Sequence, residues 1–200
     1  MAHRRRIETV DAKGLTLIEL MFTMALGVTI TGIAVPLMGN AVDAIRAASA
    51  ARYMAARIMS IRMEAVRRST CVAFRFQPVG SDYAFAPFED GNGNGIRTMD
   101  IQAGIDRQLA AYERLGDKFS GIQFRLAAGT PDADGVVGPG EDGVRIGAPQ
   151  ILTLSPDGSA SSGTLYLGGK GGQYAVRVLG VTGRTRVLYF HPGDRTWSAR

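Results

Sequence analysis

A single apolar run of 24 residues, Leu15 to Met38, constrains the fold of this chain more than any other feature, because it contains only one charged residue, Glu19. As an α-helix the run would extend about 36 Å, enough to cross the ~30 Å hydrocarbon layer of a bilayer. The fourteen residues before it include four basic side chains. This charge distribution favours a cytoplasmic N-terminus and export of the residues that follow.

The position of Glu19 inside the apolar run calls for an explanation. An ionised carboxylate in the middle of a bilayer costs about 2.5–3.5 kcal/mol. Glu19 therefore either has a partner, which would make it a functional residue, or extends to the lipid headgroups. An ordinary secretory signal has a shorter apolar core that ends at a small-x-small cleavage site. Here the run continues through Pro36 without a clear site of that kind, and a plain signal anchor is the alternative.

The segment Lys13–Met21, Lys-Gly-Leu-Thr-Leu-Ile-Glu-Leu-Met, resembles the class III signal of type IV prepilins. The resemblance implies that a prepilin peptidase cleaves between Gly14 and Leu15 and methylates the new N-terminus at Leu15, where phenylalanine is the usual residue. It implies that Glu19 neutralises the N-terminal ammonium of a neighbouring subunit during assembly. It also implies that Pro36, residue 22 of the mature chain, kinks the helix.

The helical pattern continues beyond the apolar run. Residues 40–77 contain neither glycine nor proline, and apolar side chains recur at spacings of three or four between Ala47 and Ala65. This pattern predicts one nearly continuous helix from Leu15 to Arg68, about 80 Å long. Three arginines spaced eleven residues apart share a second face, which we expect to be solvated rather than to bind nucleic acid or lipid: Arg46, Arg57 and Arg68.

The rest of the chain has the pattern of a β-rich head. Alternating apolar residues and glycine-containing turns predict strands at 72–77, ended by Pro78, and at 82–88, 121–126, 150–154, 163–167, 174–181 and 184–190. A short helix is predicted at Ile105–Leu115. The fold class is thus α+β, a long N-terminal helix followed by a small antiparallel β-sandwich-like head. The predicted divisions are a leader at 1–14, a transmembrane part at 15–38, a periplasmic half-helix at 39–70 and the head at 71–200.

Candidate sites for chemistry in the head are few. Asp90, Asn92 and Asn94 match the opening of a calcium-binding loop, but the twelfth position, where a bidentate glutamate belongs, is Ile101. A structural turn is therefore the favoured interpretation, and the acidic loop 131–143 is interpreted in the same way. Cys71 is the only cysteine, which excludes an internal disulfide. Because no nucleophile–histidine or phosphate-loop pattern is present, we expect no enzyme activity and no cofactor.

The C-terminal part adds a second resemblance. The strand and turn succession from Leu152 to Val187, with Ser-Pro-Asp-Gly-Ser at 155–159 and Gly-Arg-Thr-Arg at 183–186, is similar to minor pseudopilins of the GspH/FimT type. This implies a minor pseudopilin, a structural subunit of the type II secretion pseudopilus that acts in filament initiation or tip assembly. The alternative is a FimT-like minor type IV pilin in pilus biogenesis or DNA uptake, with Arg184 and Arg186 contacting DNA. Solvent exposure alone also explains these two arginines.

The partners and location follow from the same resemblance. The expected partners are the prepilin peptidase, other pseudopilins or pilins through helix packing, the inner membrane and, in the first interpretation, exported proteins. The chain would cross the bacterial inner membrane once, with its globular domain in the periplasm. A membrane-anchored binding protein that retains its leader is a third possibility.

Overall fold

The computed structural model describes residues 14–138, 142–147 and 149–199. The predicted leader therefore lies outside the described residues, except for Gly14. The chain divides into two compact units, Met1–Gly39 and Asn40–Arg200. Helix α1, Leu17–Arg68, begins in the first unit and ends in the second. The predicted long helix is thus confirmed, with its first residue two positions later than expected.

The second unit contains two antiparallel sheets, whose strands lie after α1 in the chain. The strands of the first sheet are β1 Val72–Val79, β2 Asp82–Glu89, β3 Arg107–Gln108, β4 Glu113–Arg114 and β7 Ile151–Leu154. Those of the second are β5 Gln123–Phe124, β6 Val144–Arg145, β8 Gly163–Gly169, β9 Gly172–Leu179, β10 Arg184–His191 and β11 Thr196–Ala199. The first sheet has the order β3–β2–β1–β7, and β4 also pairs with β2; the second has the order β11–β10–β9–β8–β5, and β6 also pairs with β8.

One hydrophobic core joins the second half of α1 to both sheets. The helix contributes a buried stripe that includes Met54 and Ile58, at the three- and four-residue spacing expected from the sequence. Phe76 of the first sheet lies edge-on to Phe124 of the second, with ring centroids 5.5 Å apart. Since the same cluster holds side chains from the helix and from both sheets, the head is an α+β domain with a three-sided core. The predicted fold class, a long N-terminal helix followed by a small antiparallel β head, is thus confirmed.

The predicted helix at Ile105–Leu115 is wrong. Helix α2, Thr98–Gln102, ends before this segment, and α3, Leu115–Lys118, begins only at its last residue. Between them the chain is extended, because β3 and β4 pair with β2. The buried carboxylate of Asp106 accepts hydrogen bonds from the backbone N–H groups of Gly91 and Arg97, which fixes this segment to the preceding loop.

The expectation that Pro78 ends the first strand is also wrong, since β1 continues to Val79. Pro78 lies opposite Tyr83 on β2. On the other side, β7 pairs with β1 only from Val72 to Arg75, and the last bond there is from Phe76 N–H to the Gln150 carbonyl. The missing N–H of proline therefore falls on an unpaired part of the strand edge, where it costs no ladder hydrogen bond.

Candidate functional site

The first turn of α1 holds the candidate assembly residue, Glu19. The backbone N–H of Glu19 donates to Thr16 Oγ1 at 3.3 Å, and the Thr16 hydroxyl donates in turn to Glu19 Oε2 at 3.5 Å. Thr16 is thus the N-cap of the helix, and Glu19 is its third residue, the sequence positions of a capping box, although the Glu19 carboxylate bonds the Thr16 hydroxyl rather than its backbone N–H. A carboxylate here also interacts favourably with the positive end of the helix dipole. Glu19 therefore has a local structural role as well as the one that its charge suggests.

The helix that follows exposes its apolar side chains. The segment Leu17–Ala34 is long and apolar enough to cross a membrane, with a mean hydropathy of 1.8, and none of it is buried. It is the one segment with these properties in the part of the chain that the structure describes. The helix continues through Pro36. The side chains at 35–38 lie outside the described residues, so the predicted kink stays a prediction.

The loop at Asp90 is organised by backbone hydrogen bonds. Asp90 Oδ1 accepts from the N–H groups of Asn92 and Gly93, and Oδ2 accepts from that of Gly95 at 2.7 Å. The side chain of Asn92 accepts in turn from the N–H of Asn94. Both carboxylate oxygens of Asp90 thus serve as acceptors inside a tight turn. Among the described residues, no group of three or more His, Cys, Asp or Glu side chains is placed to hold a metal ion.

Arg184 and Arg186 lie on strand β10 with exposed side chains that point to the same face. Arg186 is directly opposite Arg177 on β9. Within the described ranges, neither Arg184 nor Arg186 forms an ion pair, whereas Arg177 binds the carboxylate of Asp134 at 2.7 Å. The two candidate residues are therefore brought together with a third arginine that the sequence did not single out.

The three arginines spaced along α1 each bind an acidic side chain. Arg46 pairs with Asp43, Arg57 with Glu113, and Arg68 with both Glu64 and Glu89. Arg46 makes its pair within the helix, whereas Arg57 and Arg68 are partly buried and bind the head, so the face is not simply solvated as expected. Hydrogen bonds from Arg67 and Arg68 lower the pKa of Glu64 to about 2.

Glu113 is the centre of the best-connected of these contacts. Its Oε1 accepts from two nitrogens of Arg57, and its Oε2 accepts from the Tyr53 hydroxyl at 2.7 Å and from Lys118 Nζ at 3.0 Å. Burial by itself would raise the pKa of Glu113, but the hydrogen bonds from Tyr53, Lys118 and Arg57 outweigh it, and the pKa is lowered. This cluster attaches the α3 region to α1.

Cys71 and His191 have surroundings that explain them without chemistry. Cys71 is half-buried, and burial raises the pKa of its thiol, which disfavours the nucleophilic thiolate. His191 Nε2 lies 2.7 Å from Ser198 Oγ, and its ring packs edge-on against Tyr189.

Comparison with known proteins gives a limited result. No protein-family model matches the sequence, and no curated protein matches it. Two solved structures of the minor pseudopilin EpsH from the type 2 secretion system of Vibrio cholerae are similar to this chain. For each, the sequence identity is 18%, the match covers 72% of this chain and 96% of the other, and the TM-score is 0.45. A likeness at this level of identity and TM-score does not establish a shared function.

Proposed function

We propose that this chain is a minor pseudopilin, a structural subunit of a type II secretion pseudopilus that is processed between Gly14 and Leu15. One observation carries the proposal: Glu19, the only charge in the apolar run, stands in the first turn of an exposed apolar helix that begins at Leu17, three residues after Gly14. A charged residue at that position is costly for a simple anchor. It is useful in a subunit whose neighbour supplies a positive charge.

The proposed chemistry of assembly follows from charge pairing. Cleavage after Gly14 creates an ammonium group on Leu15, which the prepilin peptidase then methylates. In a medium of low dielectric constant two opposite charges attract strongly, and each is costly when it is alone. Glu19 of one subunit would thus bind the Leu15 ammonium of the next. Processing generates one half of the pair and thereby controls which chains can enter the filament.

The expected location is the bacterial inner membrane, with the N-terminus in the cytoplasm and the head in the periplasm. The four basic residues of the leader favour this orientation. The proposed partners are other pseudopilins, through packing of the exposed apolar helix, and exported proteins at the filament tip. A role in filament initiation or tip assembly is part of the proposal, and we expect the head to act by binding rather than by catalysis.

Substitutions at the start of α1 test the assembly role of Glu19. Glu19→Gln removes the charge but keeps an oxygen that accepts a hydrogen bond, as capping boxes allow. Thr16→Val removes the cap and keeps the charge. We expect both variants, and Glu19→Val, to insert in the membrane, and only the Glu19 variants to be lost from the filament fraction of the native cells. Normal incorporation of Glu19→Gln together with failure of Thr16→Val would show that Glu19 acts by capping alone.

A FimT-like minor pilin in DNA uptake is the second candidate function. It is favoured by the two exposed arginines on β10, Arg184 and Arg186, which have no ion pair among the described residues. Binding through phosphates would weaken steeply as the salt concentration rises. A gel-shift titration of the full chain at low and high salt tests this candidate, and the absence of retardation at low salt would exclude it.

A further inference from the structure

The outer face of the second sheet carries a lateral row of arginines. Register places four residues side by side on adjacent strands, Arg145 on β6, Thr164 on β8, Arg177 on β9 and Arg186 on β10. Residues that pair directly across strands point to the same face. The other face of this sheet packs into the core, so the row faces away from it. Directly opposed like charges destabilise a sheet unless an anion lies between them.

The loop that contains residues 131–134 supplies two such anions. Asp132 binds Arg145 at 2.8 Å, and Asp134 binds Arg177 at 2.7 Å. The loop is also attached to the sheet by hydrogen bonds from Ala133 N–H to the Tyr166 hydroxyl, from Trp197 Nε1 to the Pro131 carbonyl and from the Arg177 guanidinium to the Ala133 carbonyl. The two acidic contacts differ, because the Asp132 side chain is 12% exposed and that of Asp134 is 64% exposed. Asp134 is thus a carboxylate that another carboxylate can replace.

A cleft lies between this loop and the turn Gly180–Thr182 that joins β9 to β10. Its volume is about 540 Å³, in the range of sites that bind ligands. The loop side presents Asp132, Asp134 and their arginine partners, and the opposite side presents Val181. Hydroxyl groups also line it, from Ser162, Thr164 and Thr182. Val181 is 94% exposed and so is open to contact from an apolar group of a bound ligand.

The composition of the cleft favours a polypeptide over a nucleic acid. Proteins bind unpaired nucleic acid strands by stacking bases on exposed aromatic rings. The aromatic ring of this cleft, Tyr166, is 1% exposed and is covered by the guanidinium of Arg145 at 5.4 Å from the ring centroid. Guanidinium and hydroxyl donors beside an exposed valine instead suit a carboxylate that is followed by an apolar side chain.

We propose that this cleft binds an extended acidic segment of another polypeptide. A carboxylate of that segment takes the place of Asp134 on Arg177, close to Arg186, which forms no ion pair with any residue that the structure describes. An adjacent apolar side chain of the segment packs on Val181. In the absence of the partner Asp134 pairs with Arg177, and it therefore competes with the carboxylate of the partner for this guanidinium. This site does not depend on leader cleavage or on filament formation.

Fluorescence anisotropy on the full chain in non-ionic detergent micelles tests the proposal. The probe is a short fluorescein-labelled peptide of alternating glutamate and valine, and the matched control has glutamine in place of glutamate. We expect saturable binding of the acidic peptide and at least about tenfold weaker binding of the control. Equal binding of the two peptides, or no binding of either, would overturn the proposal.

Variants of the cleft give effects in opposite directions. Asp134→Asn frees Arg177 and is expected to tighten binding by about threefold, as for an exposed ion pair. Arg177→Gln and Val181→Asp are expected to weaken it by about tenfold or more. Val181→Asp is the more informative of these two variants, because Val181 is exposed in a turn. Its substitution removes no contact within the fold, so weaker binding would report on the cleft and not on folding. Unchanged or weaker binding by Asp134→Asn would contradict the competition between Asp134 and the peptide. If a polythymidine oligonucleotide displaced the labelled peptide at a lower concentration than unlabelled peptide does, the cleft would be assigned to nucleic acid instead.

Discussion

The close packing of the β8–β9 hairpin against helix α1 predicts that Gly171→Ala, which adds one methyl group, lowers the stability of the protein substantially. The hairpin turns at Lys170 and Gly171, and a Cβ atom on Gly171 would lie 2.1 Å from the carbonyl carbon and oxygen of Asp43 and 2.3 Å from the nitrogen of Ala44. Ordinary contacts of a Cβ atom begin at about 3.4 Å, so Gly171→Ala requires the hairpin or the helix to move by about 1 Å or more. Neither side can yield by rotating a side chain, because both are backbone.

We expect Gly171→Ala to lower the free energy of unfolding by about 2–3 kcal/mol, at the upper end for overpacking. For a chain of this size the melting temperature would fall by roughly 4–12 °C. The matched control is Gly193→Ala, since no atom lies within 4 Å of its added Cβ, and its effect should stay within about 0.5 kcal/mol. Thermal unfolding in detergent can be followed by the fluorescence of Trp197, the only tryptophan. Equal melting temperatures for the two variants would refute this packing of the hairpin on the helix.

Three further predictions concern the head. Glu113→Gln should lower the free energy of unfolding by about 1–2 kcal/mol at neutral pH. Because the pKa of Glu113 is lowered in the folded state, its contribution to stability is complete above pH ~4.3 and is lost as the pH falls through the folded-state pKa. Chemical denaturation of the two proteins should therefore give converging stabilities in acid, and a constant difference would contradict the pairing. Asp90→Ala should destabilise by about 1–2 kcal/mol, since three backbone N–H groups lose their acceptor, whereas a neutral result would mean that water replaces the carboxylate. Calcium should leave the melting temperature of the full chain unchanged, because among the described residues no group of three or more acidic, cysteine or histidine side chains is placed to hold it. A rise with calcium concentration would establish a cation site.

The elements that were predictable from the sequence are those with strong local signals. The alanine-rich, glycine-free stretch and its three- and four-residue spacing predicted α1 to its last residue, Arg68. The strands β8, β9 and β10 were predicted to within two residues at each end, because turns with glycine separate them. Gly158, in the turn before β8, and Gly183, in the turn between β9 and β10, have positive φ angles of +86° and +59°, which glycine adopts at little cost.

The missed elements depend on contacts with distant residues. Strands β3, β4 and β6 have two residues each and exist only because β2 and β8 offer them an edge. The segment Ile105–Leu115 has a composition that permits a helix, but the bonds of Asp106 to a loop fifteen residues earlier hold it extended. Local propensity is a weak determinant where tertiary bonds of this kind compete with it.

The candidate sites divide in the same way. Glu19 was identified from its isolation in an apolar run, yet its capping partner Thr16 was missed, although Thr-x-x-Glu before an apolar segment is itself a sequence signal. The outer-face cleft could not be predicted, since Arg145 and Arg177 are brought together only by the register of β6, β8 and β9. Charge pairing across a sheet depends on register, and register is not visible in the spacing of single residues.

The central claim is that this chain is a processed filament subunit, and the mass of its N-terminal peptide tests it most directly. The protein would be purified from the membranes of its native cells, digested and examined by mass spectrometry, beside a Gly14→Val variant that blocks cleavage. The proposal predicts an N-terminal peptide that begins at Leu15 and carries the added mass of one methyl group, and its absence from the Gly14→Val protein. An intact leader beginning at Met1, or an N-terminus elsewhere than Leu15, would contradict it.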